Sequence, residues 1–71
     1  MTTWIERVET ELEELEAKIE GLSKFLNDEE ALEGVSNTQK QLLVMQFTAM
    51  SSYAGILGRR LMVANREQMS D

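Results

Sequence analysis

Along the first third of the chain the apolar positions Ile5, Val8, Leu12, Leu15, Ile19, Leu22 and Leu26 follow one another in alternating steps of three and four. That spacing is a heptad seam, and it sets all seven side chains on one stripe of an α-helix. The positions between them are mostly Glu, which predicts a solvated back face. Thr3 and Glu6 stand at capping-box spacing, so the helix is expected to begin at Trp4. Gly21 weakens it by roughly 1 kcal/mol relative to Ala without breaking it. Asn27-Asp28 reads as a stop, giving a first helix over about 4–26.

Asp28-Glu29-Glu30-Ala31-Leu32 predicts a short acidic helical turn over about 28–33, with Gly34 suited to a left-handed terminating position. Ser36 and Gln39 repeat the capping-box spacing and open a second helix over about 37–67, which no proline interrupts. A connection this short folds two helices back as an antiparallel hairpin.

The second helix is apolar over too wide an arc to be covered by the first. Advancing about 100° per residue, Leu43, Phe47, Met50, Ala54, Leu57, Leu61 and Ala64 form one stripe, and Leu42, Ala49, Ile56 and Val63 form another beside it. With Met45 they span roughly 200°, against the roughly 100° of an ordinary core-facing helix. Thr48, Ser51, Gly55 and Gly58 give a further side of small residues. The fold class that follows is all-α: an antiparallel two-helix hairpin with a short helical turn in its connection, one domain over 1–71, assembled into a homo-oligomeric bundle. A dimer forming a four-helix bundle is the minimum.

Composition sharpens this reading. Seventy-one residues with Cys 0 and His 0 hold no disulfide, no thiolate or imidazole metal site, and no Ser-His or Cys-His chemistry. A chain this small usually needs a staple, and self-association is the one left. A binder is expected rather than an enzyme, with no cofactor and no metal. Net charge −6 argues against general affinity for nucleic acid or anionic lipid. The charge is segregated: residues 1–34 carry eleven acids and three bases, residues 35–71 four bases and two acids, so an anion site belongs to the second half. The uncharged stretch Gln41 to Gly58 is marginal in length for a membrane span and carries Gln46, Thr48, Ser51, Ser52 and Tyr53, which favours buried oligomer core over hydrocarbon. With no basic-plus-apolar leader, cytoplasmic residence is expected.

Within the second helix Gln46, Tyr53 and Arg60 recur at seven-residue intervals, forming one polar row beside the apolar stripes. An amide, an aromatic face with a hydroxyl, and a guanidinium are the groups that bond a base edge, stack on a ring and clamp a phosphate. Arg59 adds a second guanidinium, and Lys18, across the hairpin from Gln46, joins the candidate ligand-binding set. A purely structural reading competes: Arg60 paired with Glu6 or Glu9, Tyr53 near Glu11 or Glu14, and Lys18 facing Gln46 as a register-setting layer. Glu9, Glu13, Glu16 and Glu20 share a face that reads as solvated rather than as a cation site, Trp4 reads as a lid on the open end of the hairpin, and the methionines as adaptable packing.

The pattern Arg7-Val8-x-x-Glu11-x-x-Glu14-Leu15-x-x-Lys18-Ile19-x-x-Leu22-x-x-Phe25-Leu26 resembles the first helix of a family of small phage proteins, the crAss-phage-type helical proteins of tailed phages. The resemblance continues through Leu42-Leu43-x-x-Gln46-x-x-Ala49-Met50-x-x-Tyr53-x-x-Ile56-Leu57-x-x-Arg60-Leu61, and the chain departs from it at Gly55, Gly58 and the polar tail. It implies a phage accessory protein in the cytoplasm of an infected bacterial host. Small phage proteins of that kind often blunt host defence in one of two ways, with a purely structural phage role as a third reading. This chain could sequester a small nucleotide-type immune signal at its oligomer seam, or dock on a defence complex through the acidic first helix.

Overall fold

The computed structural model describes residues 3–69, with side chains through residue 67; positions 1–2 and 70–71 of the expected domain lie outside the described residues. Two helices, α1 (Trp4–Leu26) and α2 (Asn37–Met69), pack against each other as a hairpin, and the described residues contain no strand.

Local chemistry marks the helix ends. Thr3 is extended, and its Oγ1 accepts the backbone N–H of Glu6 at 3.2 Å. At the far end of α1 the Asn27 side chain donates through Nδ2 to the Ser23 carbonyl at 2.9 Å, while its backbone N–H reaches the Ser23 and Lys24 carbonyls. The Ser36 hydroxyl accepts from the Gln39 N–H at 3.1 Å and opens α2. Each N-cap of this kind stabilises its helix by about 1 kcal/mol, because it satisfies a backbone donor that no carbonyl can reach.

In the connection, Asp28 acts as a third cap, accepting the Ala31 N–H on Oδ1 at 3.2 Å. One helical bond forms, from the Leu32 N–H to the Asp28 carbonyl. The expected helical turn does not propagate, however: the following bonds, Glu33 to Glu30 and Val35 to Leu32, tighten to i→i+3, leaving a chain of turns. Gly34 also departs from expectation, since no glycine among the described residues has positive φ. Residues 35 and 36 lead into α2 without a helix terminus that would need a left-handed residue.

The α2 stripe that contains Leu43 and Leu57 is the one that meets α1. Val8, Leu15 and Leu57 are buried together, with Leu12, Ile19, Met50, Ala54 and Leu61 packed around them, and Ala64 is buried further along the same stripe. The second stripe is bare: Leu42, Met45, Ile56 and Val63 are each about half exposed or more, and Ala49 is exposed. The hairpin is accordingly a thin rod, 56 × 20 × 14 Å, with a Cα radius of gyration of 16.3 Å. A compact chain of this length has about 11 Å. Among the described residues no helix is long and apolar enough to cross a membrane.

Two substitutions test this packing. Leu57 is 1% exposed, so Leu57→Ala should cost about 2–5 kcal/mol, comparable with all that so small a core supplies. Thermal melting by circular dichroism should show a largely unfolded chain, while Val44→Ala on the outer face should melt like the wild type. Gly21 lies inside α1 and a Cβ built there meets nothing within 4 Å. Gly21→Ala should therefore raise stability by about 1 kcal/mol, seen as a higher urea midpoint.

Candidate functional site

The hairpin brings the first residue of α1 against the last third of α2. There the Arg60 guanidinium lies over the Trp4 ring, 5.8 Å from its centroid, inside the roughly 6 Å reach of a cation–π interaction. This replaces the ion pair expected between Arg60 and Glu6 or Glu9. Among the described residues the one ion pair is Glu20–Lys24 at 3.3 Å, between two well-exposed side chains of α1. A flat indole face at Trp4 offers the guanidinium a surface that keeps its donor edges free, whereas an exposed carboxylate on a long chain gains little over water.

Around this contact is a cleft of about 470 Å³, lined by Trp4, Ile56, Arg59, Arg60, Val63 and Glu67. Its size is that of small-molecule sites. Its walls are apolar, and its charged groups are two guanidiniums against one carboxylate. A smaller hollow of about 170 Å³ adjoins it, sharing Arg59 and Val63 and adding Arg66. A second groove, of about 460 Å³, runs along the helix seam at Glu16, Ile19, Glu20, Ser23, Phe47, Ser51 and Ala54. The two large grooves match in volume and oppose each other in sign, so an anion is drawn to the first and repelled from the second.

Of the residues expected to bind ligand, Arg60 and Arg59 therefore share a cleft. Tyr53 and Gln46 stand outside it on the exposed side of α2, and Lys18 is exposed on α1. The Gln46 amide meets only the Met50 sulfur, Nε2 to Sδ at 3.8 Å. Tyr53 and Lys18 have no hydrogen-bond or ion-pair partner among the described residues. Heptad steps away from the Trp4–Arg60 contact set Glu11 level with Tyr53 and Lys18 level with Gln46 along one flank of the hairpin. The row is real as a line of positions and is not a closed pocket within one chain.

Trp4, expected as a lid, lines the cleft together with Ile56, Val63 and Glu67, and Arg66 lines the adjoining hollow; none of the five is in the candidate ligand-binding set read from the sequence. The signal that finds Trp4 is its own heptad row, Trp4, Glu11, Lys18 and Phe25, read antiparallel to Gln46, Tyr53 and Arg60. The small-residue side gives no site: a Cβ added at Gly55 or Gly58 meets nothing within 4 Å, and the Thr48 hydroxyl is spent on the Val44 carbonyl. The described residues contain no cluster of acids that could hold a metal ion.

A family model described as Sequestin matches residues 2–63. A protein of Enterobacteria phage T4, "Uncharacterized 7.5 kDa protein in denB-rIIB intergenic region", is 41% identical over 61 residues, covering 86% of this chain and 94% of that protein. No solved structure matches. These relationships carry the broader part of the resemblance drawn from the helix patterns, a family of small phage proteins; they do not reach its crAss-phage assignment.

If Arg60 rests on Trp4 without an acidic partner, Arg60→Ala should lower stability by no more than about 1 kcal/mol, the range of an exposed cation–π contact. Thermal denaturation of the variant measures it. A loss of several kcal/mol would mark Arg60 as scaffold. The emission of Trp4, the single tryptophan of the chain, should shift in the same variant, because the charge beside its ring is gone.

Proposed function

This chain belongs to the Sequestin family, and from that membership we propose that it binds and sequesters a small anionic, nucleotide-type ligand without turning it over. The observation that carries the reading is the Arg60 guanidinium held over the Trp4 ring in an apolar cleft of about 470 Å³. The combination suits a phosphorylated ring compound. Arg60 and Arg59 supply charge-assisted, planar donors for phosphate oxygens. The indole and the guanidinium plane supply faces for a base, and Ile56 and Val63 supply walls that exclude water. The family name itself speaks of sequestration. Holding a ligand requires affinity and no reaction, so a chain with His 0 and Cys 0 is suited to it.

The kinship to a phage T4 protein supports a phage setting. We place the chain in the cytoplasm of an infected bacterium, where it would act as an anti-defence sponge for an immune signal of the cyclic-nucleotide or ADP-ribose type. The exposed second stripe of α2 supports a homo-oligomer as the working form, with neither general nucleic-acid binding nor membrane insertion. A second reading rests on the exposed acids Glu9, Glu13 and Glu16, which could dock α1 on the basic surface of a host defence complex.

Mixing the protein with ADP-ribose, cyclic ADP-ribose and a cyclic dinucleotide, then filtering, should deplete one of them, and heating the protein fraction should return it intact. An altered product would mean an enzyme, and no depletion would remove the proposal. Arg60→Ala should weaken binding by about 2–5 kcal/mol, the usual cost of losing a charge-assisted contact, and Arg60→Lys should recover only part, since an ammonium lacks the planar fork. Reversing Glu9, Glu13 and Glu16 to Lys should leave sequestration intact and abolish docking.

A further inference from the structure

The Arg60–Trp4 cleft is open along one side. Trp4 is 49% exposed, Ile56 57% and Val63 48%, so a ligand seated there would keep a broad face in water. Tight small-molecule sites bury about 70–90% of their ligand. Whatever closes the cleft must lie along the edge formed by Ile56 and Val63, and that edge continues down α2 as the bare stripe of Ala49, Met45 and Leu42.

We infer that a second copy of the chain packs antiparallel along this stripe and completes the cleft with its own Gln46, giving two composite ligand sites per dimer. The bound ligand is that of the sequestration reading, and the packing arrangement stands apart from it.

Area favours a second copy. The chain exposes 5759 Å², about 1,300 Å² more than a compact monomer of its mass. Each partner in a standard interface gives up about 800 Å². The stripe is also self-complementary, as a two-fold interface requires. Its midpoint falls between Ser52 and Tyr53. Reversing one copy about that point sets Ile56 against the partner's Ala49, a large side chain against a small one. The same operation sets Val63 against the partner's Leu42, and lays the aliphatic stem of Arg60 along the partner's Met45. Both ends of the stripe thereby find an apolar cover of matching size.

Electrostatics selects the direction. A parallel pair would stack Arg59 and Arg60 on their own counterparts, with like charges in register. The antiparallel pair carries them to opposite ends and also opposes the two helix dipoles. Position 46 of the partner then falls opposite Arg59, beside the cleft. The Gln46 amide donates one N–H to the Met50 sulfur and makes no other hydrogen bond among the described residues of its own chain, which leaves its carbonyl and second N–H available to a base edge or a ribose. Tyr53 of both copies meets at the two-fold axis between the two sites. Residues that a single hairpin scatters along a rod are gathered at one seam.

The chain has Cys 0, so introduced thiols report without background. Positions 49 and 56 of one helix lie about 10.5 Å apart, too far to bridge within a chain. Mild oxidation of an equimolar mixture of Ala49→Cys and Ile56→Cys chains should give a disulfide dimer containing one of each, while either variant alone stays uncrosslinked. Self-crosslinking of each single variant would mean parallel packing and overturn the arrangement. Absence of any crosslinked dimer, together with a monomer mass for the wild type in sedimentation, would overturn it as well.

A ligand-free readout tests the composite cleft. A Gln46→Cys chain carrying a nitroxide, in a Trp4→Phe background so that it does not emit, is mixed in excess with wild-type chains. Position 46 is about 21 Å along the helix from Arg60 in its own chain, but adjacent to the partner's Trp4 in the antiparallel dimer. Wild-type Trp4 emission should fall severalfold. Unquenched emission in a mixture where crosslinking has shown antiparallel dimers would overturn the contribution of Gln46 to the cleft. Failure of every nucleotide to bind would instead sink the sequestration reading while both of these results stand.

Discussion

The width of the apolar arc on α2 is the constraint on which the molecule depends. A helix buries its nonpolar side chains against whatever lies beside it, and one antiparallel neighbour covers about a third of its circumference. In this chain α1 takes the stripe through Leu43, Leu57 and Ala64, and the burial it provides is confined to a single line of side chains. Everything else about the shape follows: a rod rather than a globule, a core one residue deep, and a second apolar line facing outward. Hydrophobic stabilisation scales with the area removed from water, so a hairpin of this kind is a partial solution whose remaining free energy lies in the surface it still exposes.

The polar chemistry is arranged to leave that apolar arc undisturbed. Helix ends are closed locally by Thr3, Asn27, Asp28 and Ser36, each through a short-range bond that needs nothing from the partner helix. The acids of α1 face outward into water and contribute little to the fold. Arg60 is the exception, a charge placed at the margin of the seam. Its guanidinium is held by a ring and not by a carboxylate, which keeps its positive charge uncompensated and its donor edges available. A salt bridge in the same place would have neutralised the cleft.

Much of this was legible in the residue pattern, and the parts that were not share a cause. Periodicity alone identified the two helices and, within α2, separated two apolar stripes, because apolar spacing is a direct record of which side chains avoid water; which stripe meets α1 came from the packing. Capping residues were readable for the same reason, since their geometry is local. The behaviour of Gly34 and the failure of the turn after Asp28 to propagate were not readable, as several turn conformations satisfy the same few residues. The register was legible, since the expected pairings of Lys18 with Gln46 and of Tyr53 with Glu11 imply the same offset that sets Trp4 opposite Arg60. The partner of Arg60 was not, because Glu6 and Glu9 lie within two turns of the indole and a guanidinium beside carboxylates reads first as an ion pair. Arg59 and Arg60 line the cleft at that end, while Gln46, Tyr53 and Lys18 fall along the flank outside it.

The place of the cleft within the hairpin has a kinetic meaning. Contacts in a two-helix hairpin are most local beside the connection and most distant in sequence at the open end, so closing the loop around Trp4 and Arg60 costs the most chain entropy. Loop-closure entropy alone favours zipping from the connection outward and opening in the reverse order, which would make the cationic cleft the last part of the molecule to form and the first to fray. Occupancy of that end is then linked to its order. A ligand of the proposed kind, bridging Trp4 and Arg60, would act as a clasp on the hairpin, and amide hydrogen exchange in the first turns of α1 and the last turns of α2 is where its grip would register.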